Sequence, residues 1–76
     1  MKDLLALFAQ GLVKDAGRVC VRERSEDGGV SFEIEVAPAD RGRVIGRGGR
    51  TVEALRTVMQ AVAARRGQTC SLEVLG

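Results

Sequence analysis

The sequence predicts one small α+β domain, in which a three-stranded mixed sheet carries three helices on one face. Two alternating stretches flank a glycine-containing turn, a third alternating stretch lies near the C-terminus, and helical periodicity occupies the rest. The element order is therefore α-β-β-α-α-β. Two helices separate the second and third strands, and such a crossover makes those strands parallel. With 76 residues there is room for a single core, so we expect one domain over residues 1–76.

The first helix and the hairpin are predicted by two different periods. Residues 3–13 repeat apolar side chains with helical spacing at Leu5, Phe8 and Leu12, and Asp3 is the predicted N-cap. RVCVRER at 18–24 alternates, and a turn at 25–29 follows. The next stretch, VSFEIEV, places four apolar side chains on one face: Val30, Phe32, Ile34 and Val36.

Two helices and a strand complete the chain. Pro38 ends the second strand and opens a short helix that we expect to run to Ile45. A longer helix follows the glycine stretch and is predicted to stop at Gly67. Its apolar residues cover a wider arc than packing on a sheet requires, which predicts a further contact with the first helix, a ligand or a second subunit. That arc comprises Val52, Leu55, Val58, Met59 and Val62, widened by Ala54, Ala61 and Ala63. TCSLEVL at 69–75 is the third strand.

The composition excludes several function classes. The chain has no histidine, and its two cysteines, Cys20 and Cys70, lie far apart, so the usual zinc spacings and histidine-assisted nucleophiles are absent. Asp40 and Glu53 offer no paired-carboxylate geometry, and we therefore expect no enzyme activity, metal, cofactor or small-molecule substrate. The cysteines are predicted to face opposite sides of the sheet, which disfavours a disulfide between them. No apolar run reaches about 18 residues and no signal peptide is evident, so we expect a cytoplasmic protein without a membrane span.

Positive charge is concentrated in one half of the chain. Residues 40–66 contain seven arginines and two acidic residues, a net charge of +5. The remainder carries five basic and eight acidic residues, a net charge of −3, so the whole chain has +2. Such an asymmetry is typical of polyanion binding, but a solvated helix surface would produce it as well.

The stretch VIGRGG at 44–49 could be a phosphate loop, a ligand clamp or a flexible turn. A dinucleotide-binding G-x-G-x-x-G would need glycine at Thr51, and a P-loop beginning at Gly42 would need glycine at Arg47. Both motifs also require a preceding strand, whereas here a helix precedes. A helix–GxxG–helix arrangement remains, in which Gly46 and Gly49 allow a sharp turn and close approach of a second chain. Backbone N–H groups at the start of the next helix then form an anion site.

With this helix–GxxG–helix arrangement, the chain resembles a KH domain. Residues 40–56, DRGRVIGRGGRTVEALR, look like the KH core, and the element order is similar to the type II arrangement. The resemblance covers nearly the whole chain, as in the small stand-alone bacterial KhpA-like proteins. It implies single-stranded RNA as the ligand, gripped by its backbone over about four nucleotides. It also implies a homodimer, or a heterodimer with a larger KH-containing protein.

The resemblance carries functional roles onto individual residues. Gly46, Arg47, Gly48 and Gly49 would hold phosphates, assisted by Arg43 and Arg50. Four apolar residues are candidates for the groove floor, and the alternative for each is a position in the core: Val36, Val44, Ile45 and Val52.

The scarcity of aromatic residues limits the sequence specificity that we expect for RNA binding. There is no Trp or Tyr, and Phe8 and Phe32 both lie in apolar stripes expected to be core, so base stacking is not expected. Binding should then be weak, salt-dependent and of low sequence specificity, as for an RNA chaperone or a post-transcriptional regulator. The alternative function is a dimerisation or scaffold module acting through a KH-protein partner.

Overall fold

The computed structural model describes residues 1–75, and the helices and strands follow in the predicted order. These elements are α1 (Lys2–Leu12), β1 (Cys20–Glu26), β2 (Gly29–Glu35), α2 (Arg41–Ile45), α3 (Arg50–Ala64) and β3 (Thr69–Leu75). Short 3-10 turns occupy Ala16–Arg18, Pro38–Asp40 and Arg47–Gly49. The chain thus forms a single KH-like α+β domain, as the sequence predicts.

The sheet is mixed and has β2 at its centre, in the order β1-β2-β3. β1 is antiparallel to β2, and β2 is parallel to β3, with Phe32 beside Leu72. The hairpin turn is tighter than predicted, because Asp27-Gly28 closes it in two residues and Gly28 adopts a φ of 71°. β1 consequently extends to Glu26, two residues beyond its predicted end.

One core lies between the sheet and the helices. The apolar face predicted for the second strand is buried along its whole length, with exposures of 0–5% at Val30, Phe32, Ile34 and Val36. Each helix contributes to the same cluster, which also contains Leu72 of β3. Core residues from the helices are Leu5, Ala9, Val44, Val52, Leu55, Met59 and Ala63.

The prediction for α1 is wrong at two of its three stripe residues. Leu5 is buried as predicted, and the other buried residue of α1 is Ala9. Phe8 and Leu12 are 40% and 36% exposed. The small Ala9 side chain lies within about 40° of Leu5 around the helix axis, while Phe8 lies about 60° away on the other side. α1 also begins at Lys2, so Asp3 lies in its first turn and is not the N-cap.

In α3 the predicted stripe is confirmed for Val52, Leu55 and Met59, but Ala63 is buried where Val62 was expected. Eleven residues make just over three full turns at 3.6 residues per turn, so Ala63 returns to the direction of Val52 and Val62 does not.

The two cysteines face opposite sides of the sheet, as predicted. Cys20 is exposed, Cys70 is half-buried against the core, and both thiols are free. Burial raises the pKa of the Cys70 thiol above its ordinary value of 9.0.

Candidate nucleic-acid interface

The loop between α2 and α3 has a backbone that requires glycine at its first position. Gly46 has φ 76° and ψ 170°, a region that only glycine occupies readily. A side chain there would also meet Thr51, because an added Cβ would lie 2.9 Å from the Thr51 backbone nitrogen. Gly48 and Gly49 are left-handed, with φ 65° and 79°. The GxxG spacing therefore corresponds to a real turn between two helices.

This turn leaves two backbone N–H groups available to a ligand. Gly46 N–H donates to the Gly42 carbonyl at 2.9 Å, and Gly49 N–H donates to the Gly46 carbonyl at 3.1 Å. Within residues 1–75, no hydrogen bond uses the N–H of Arg47 or Gly48. Both groups lie just before α3, whose N-terminal end carries partial positive charge. The loop therefore has the donors and the polarity of an anion site.

The arginines around the loop fall into two groups. Arg47 and Arg50 are exposed and form no ion pair with any group in residues 1–75. Arg43, in contrast, lies with its Nε 3.4 Å from Oδ1 of Asp40. Of the three arginines expected to assist phosphate binding, Arg47 and Arg50 are therefore available, and Arg43 must first leave a carboxylate.

Asp40 is buried and links the segment after α1 to the start of α2. Its two carboxylate oxygens accept hydrogen bonds from the backbone N–H groups of Lys14 at 3.2 Å and Asp15 at 3.1 Å. These two bonds hold the pKa of Asp40 below its ordinary value of 3.8, and Arg43 adds to the effect. Asp40 thus positions the helix that leads into the loop.

A groove of about 290 Å³ lies beside the loop. Ile45 and Val52, both predicted for its floor, line it together with Val74 of β3. Three charged residues, Arg41, Arg56 and Glu73, complete the lining. The groove therefore combines an apolar floor with polar walls, a combination that suits a base with an apolar face and polar edges.

Not all the apolar residues proposed for the groove reach it. Val44 is 0% exposed and Val36 is 3% exposed, so both lie in the core, which was the alternative reading of each. Sequence reasoning missed Val74, Arg41, Arg56 and Glu73. Val74 lies on the same face of β3 as Leu72 and packs partly against the core, and only the position of β3 at the sheet edge brings it to a groove as well.

A second, larger groove of about 440 Å³ lies between α1 and α3 and is almost entirely apolar. Leu7, Phe8 and Leu12 line it from α1, and Thr51, Ala54 and Val58 line it from α3. We call this surface the α1–α3 groove. Phe8 is thus one of its walls and is not a core residue, contrary to the prediction.

Other kinds of site find no support in the described residues. No cluster of three or more His, Cys, Asp or Glu side chains within residues 1–75 could hold a metal ion. No helix in that range has the length and hydropathy needed to cross a membrane.

Comparison with known proteins identifies close similarity over the whole chain. The family model described as "KhpA/KhpB, KH domain" matches residues 2–74. The chain is 39% identical over 75 residues to the RNA-binding protein KhpA of Aquifex aeolicus, an alignment that covers 99% of this chain and 95% of that protein. It is 37% identical over 75 residues to the proteins of the same name from Chlamydia caviae and Clostridium acetobutylicum, with 99% of this chain covered in each case. These alignments cover 96% and 100% of the two relatives.

Proposed function

Because this chain belongs to the KhpA/KhpB family of KH-domain proteins, we propose that it binds single-stranded RNA through the loop at residues 46–49. Its similar relatives are named RNA-binding proteins. The observation that carries the proposal is the conjunction at the loop: two unused backbone N–H groups and two unpaired arginines, next to a groove with an apolar floor.

The loop supplies affinity for phosphate. The N–H groups of Arg47 and Gly48 donate to phosphate oxygens, and the guanidinium groups of Arg47 and Arg50 add charge-assisted hydrogen bonds. Hydrogen bonds to charged groups contribute about 1.5–3 kcal/mol each, more than neutral ones. Gly48 has no side chain, so a phosphate approaches the backbone closely there.

The groove receives the bases that follow the gripped phosphates. Ile45, Val52 and Val74 offer apolar surface, and no aromatic ring lines this groove among the described residues. Base stacking on aromatic side chains, worth about 1–3 kcal/mol per base, is therefore unavailable in it. Affinity then depends mainly on phosphate contacts, and sequence specificity is low. A weak, tolerant grip of this kind suits an RNA chaperone or a post-transcriptional regulator in the cytoplasm.

Replacing Arg47 and Gly48 together by aspartate tests the proposal. Gly48 is left-handed, a conformation that aspartate tolerates better than most residues, and an added Cβ meets no atom within 4 Å, so the fold should persist. The two carboxylates repel phosphate, and binding of a 12-nucleotide oligo(U) in fluorescence anisotropy should fall by at least about tenfold.

A matched control exists at the other end of α3. Arg66→Asp with Gly67→Asp makes the same change of residues and charge, and Gly67 is also left-handed with open space around it. This control should bind RNA nearly as the parent does. If the loop variant binds as tightly as the control, the loop is not the RNA site.

We also propose self-association as a second function, because the α1–α3 groove exposes large apolar side chains. Leu7 is 65% exposed, and Phe8, Leu12 and Val58 are 36–41% exposed. Exposed apolar patches of this kind mark interaction sites on small proteins. The proposed occupant is a second copy of this chain or the KH domain of a larger protein.

A further inference from the structure

β3 presents free backbone groups to the proposed RNA groove. It is an edge strand, paired with β2 on one side only. Thr69 N–H donates to the Gly28 carbonyl at 3.0 Å, and the Leu75 carbonyl accepts from Val36 N–H at 3.4 Å. Backbone groups of successive residues point to opposite sides of a strand. Those of Leu72 and Val74 therefore point away from β2.

One of these edge groups is already occupied by a side chain from α3. The Arg56 guanidinium donates to the Leu72 carbonyl through both Nε and Nη2, each at 3.2 Å. Its Nη1 donates to the carboxylate of Glu53, one turn earlier on the same helix. Arg56 itself lines the groove, together with Val74. The Arg56 guanidinium group is thus held between a carboxylate on its own helix and a carbonyl of the strand edge.

This arrangement separates Arg56 from the other arginines of the basic half. Arg47 and Arg50 have no ion pair within residues 1–75, whereas the charge of Arg56 is balanced by Glu53. Moving Arg56 to a phosphate would break the Glu53 contact and leave the Leu72 carbonyl without its donor, which opposes such a movement.

We propose, on the premise that the groove binds RNA bases, that Arg56 is a positioning residue that makes the groove tolerant of base identity. Val74 is the residue of this strand edge that lines the groove, and Leu72 is not, so with the Leu72 carbonyl covered the groove-lining backbone offers one N–H and one C=O, both from Val74. Each of the four bases has an edge with one donor beside one acceptor, so this pair does not distinguish them. An uncovered Leu72 carbonyl would add a second acceptor to the strand edge. Only a base with an amino group has a further N–H to donate to it.

Arg56→Met tests this role, because methionine keeps an unbranched stem but donates no hydrogen bond. Binding of oligo(A), oligo(C) and oligo(U) of equal length is measured at three salt concentrations. The freed carbonyl should raise the preference for A and C over U by roughly two- to tenfold, the worth of one net hydrogen bond. The dependence of log K on log salt should equal that of the parent, because no phosphate contact is lost.

Two further variants complete the experiment. Arg56→Lys retains one charged donor for the Leu72 carbonyl and should restore most of the parent's tolerance. Arg65→Met removes an exposed arginine immediately after the same helix and should leave the base preference unchanged. Circular dichroism checks that each variant is folded. If Arg56→Met does not fold, the test rests on Arg56→Lys, whose preference for A and C over U must be slightly higher than that of the parent.

Two results would overturn the inference. An equal loss for all three oligonucleotides, with the salt slope reduced by about 0.7, would make Arg56 a phosphate ligand. An unchanged preference in both Arg56 variants would remove any role in base selection. If the parent binds none of the three, it is the proposed RNA function that fails, which is a distinct outcome.

Discussion

Asp40 is the one charged side chain that is buried among residues 1–75. It accepts two backbone hydrogen bonds from the segment after α1 and forms an ion pair with Arg43, so that segment and α2 meet at one carboxylate. Its folded-state pKa lies below the ordinary value of 3.8. The ionised form therefore stabilises the fold, and this stability is present above pH 3.8 and lost as pH falls through the lower, folded-state pKa.

Asp40→Asn should accordingly lower the melting temperature at pH 7, because an amide is a weaker acceptor and presents only one oxygen. The difference from the parent should shrink below pH 3.8, as the carboxylate is protonated first in the unfolded chain and then, at its lower folded-state pKa, in the native protein. Thermal unfolding at pH 7, 5, 4 and 3 measures this. Asp27→Asn is the control, since Asn-Gly and Asp-Gly both suit the hairpin turn. A difference that stays constant from pH 7 to pH 3 would show that ionisation of Asp40 does not matter.

The local features of the loop were predictable from the sequence, whereas its tertiary contacts were not. The spacing of Gly46 and Gly49 predicts the turn, because a turn between two helices is decided by neighbouring residues. Arg43 pairs with Asp40 three positions earlier, a spacing at which side chains meet on a helix, so the sequence does carry a signal for this ion pair. The hydrogen bonds from Lys14 and Asp15 to Asp40 span 26 and 25 positions, and no local pattern predicts contacts at those separations.

At the scale of elements, periodicity identified every helix and strand but not always the buried face. β3 was predicted with its observed bounds, because strict alternation leaves only two possible faces. A helix with many apolar residues can bury any of several faces, and α1 buries the face that carries Leu5 and the small Ala9. Phe8 and Leu12 were left on the surface as a result. The breadth of the apolar arc in α3 also predicts a contact beyond the sheet, which stays a prediction, and Ala54 and Val58 of that arc line the α1–α3 groove.

A charge placed in the α1–α3 groove tests whether it is an interface. Leu7→Glu should convert a self-associated protein to a monomer, because burial of the new carboxylate would oppose association. Leu7 is 65% exposed, so the fold itself should tolerate the change. Light scattering at tens of micromolar measures the mass. Gln10→Glu adds the same charge to the same helix outside the groove and should leave association unchanged.

Two outcomes would count against this surface. A parent protein that is strictly monomeric at that concentration would exclude self-association. A Leu7→Glu variant that remains associated would move the interface elsewhere on the molecule.

At the scale of the whole molecule, α3 separates the two proposed interfaces. Val52 and Arg56 line the RNA groove, whereas Thr51, Ala54 and Val58 line the α1–α3 groove. RNA binding and self-association therefore use different sides of one helix and are compatible. The accessible surface of the molecule is 4862 Å², and a standard interface of about 800 Å² per partner would cover roughly a sixth of it. Enough surface then remains for the loop and the groove to stay accessible in a dimer.

An NMR titration of the ¹⁵N-labelled protein with a short single-stranded RNA tests the central claim most directly. If RNA binds at the loop, the amides of Arg47 and Gly48 should shift most at low salt, Val74 should shift with them, and all three should return toward their free positions as salt is raised. Shifts confined to the outer face of the sheet around Arg22 and Arg24, or to the α1–α3 groove, would contradict it, because the RNA would then bind without the loop.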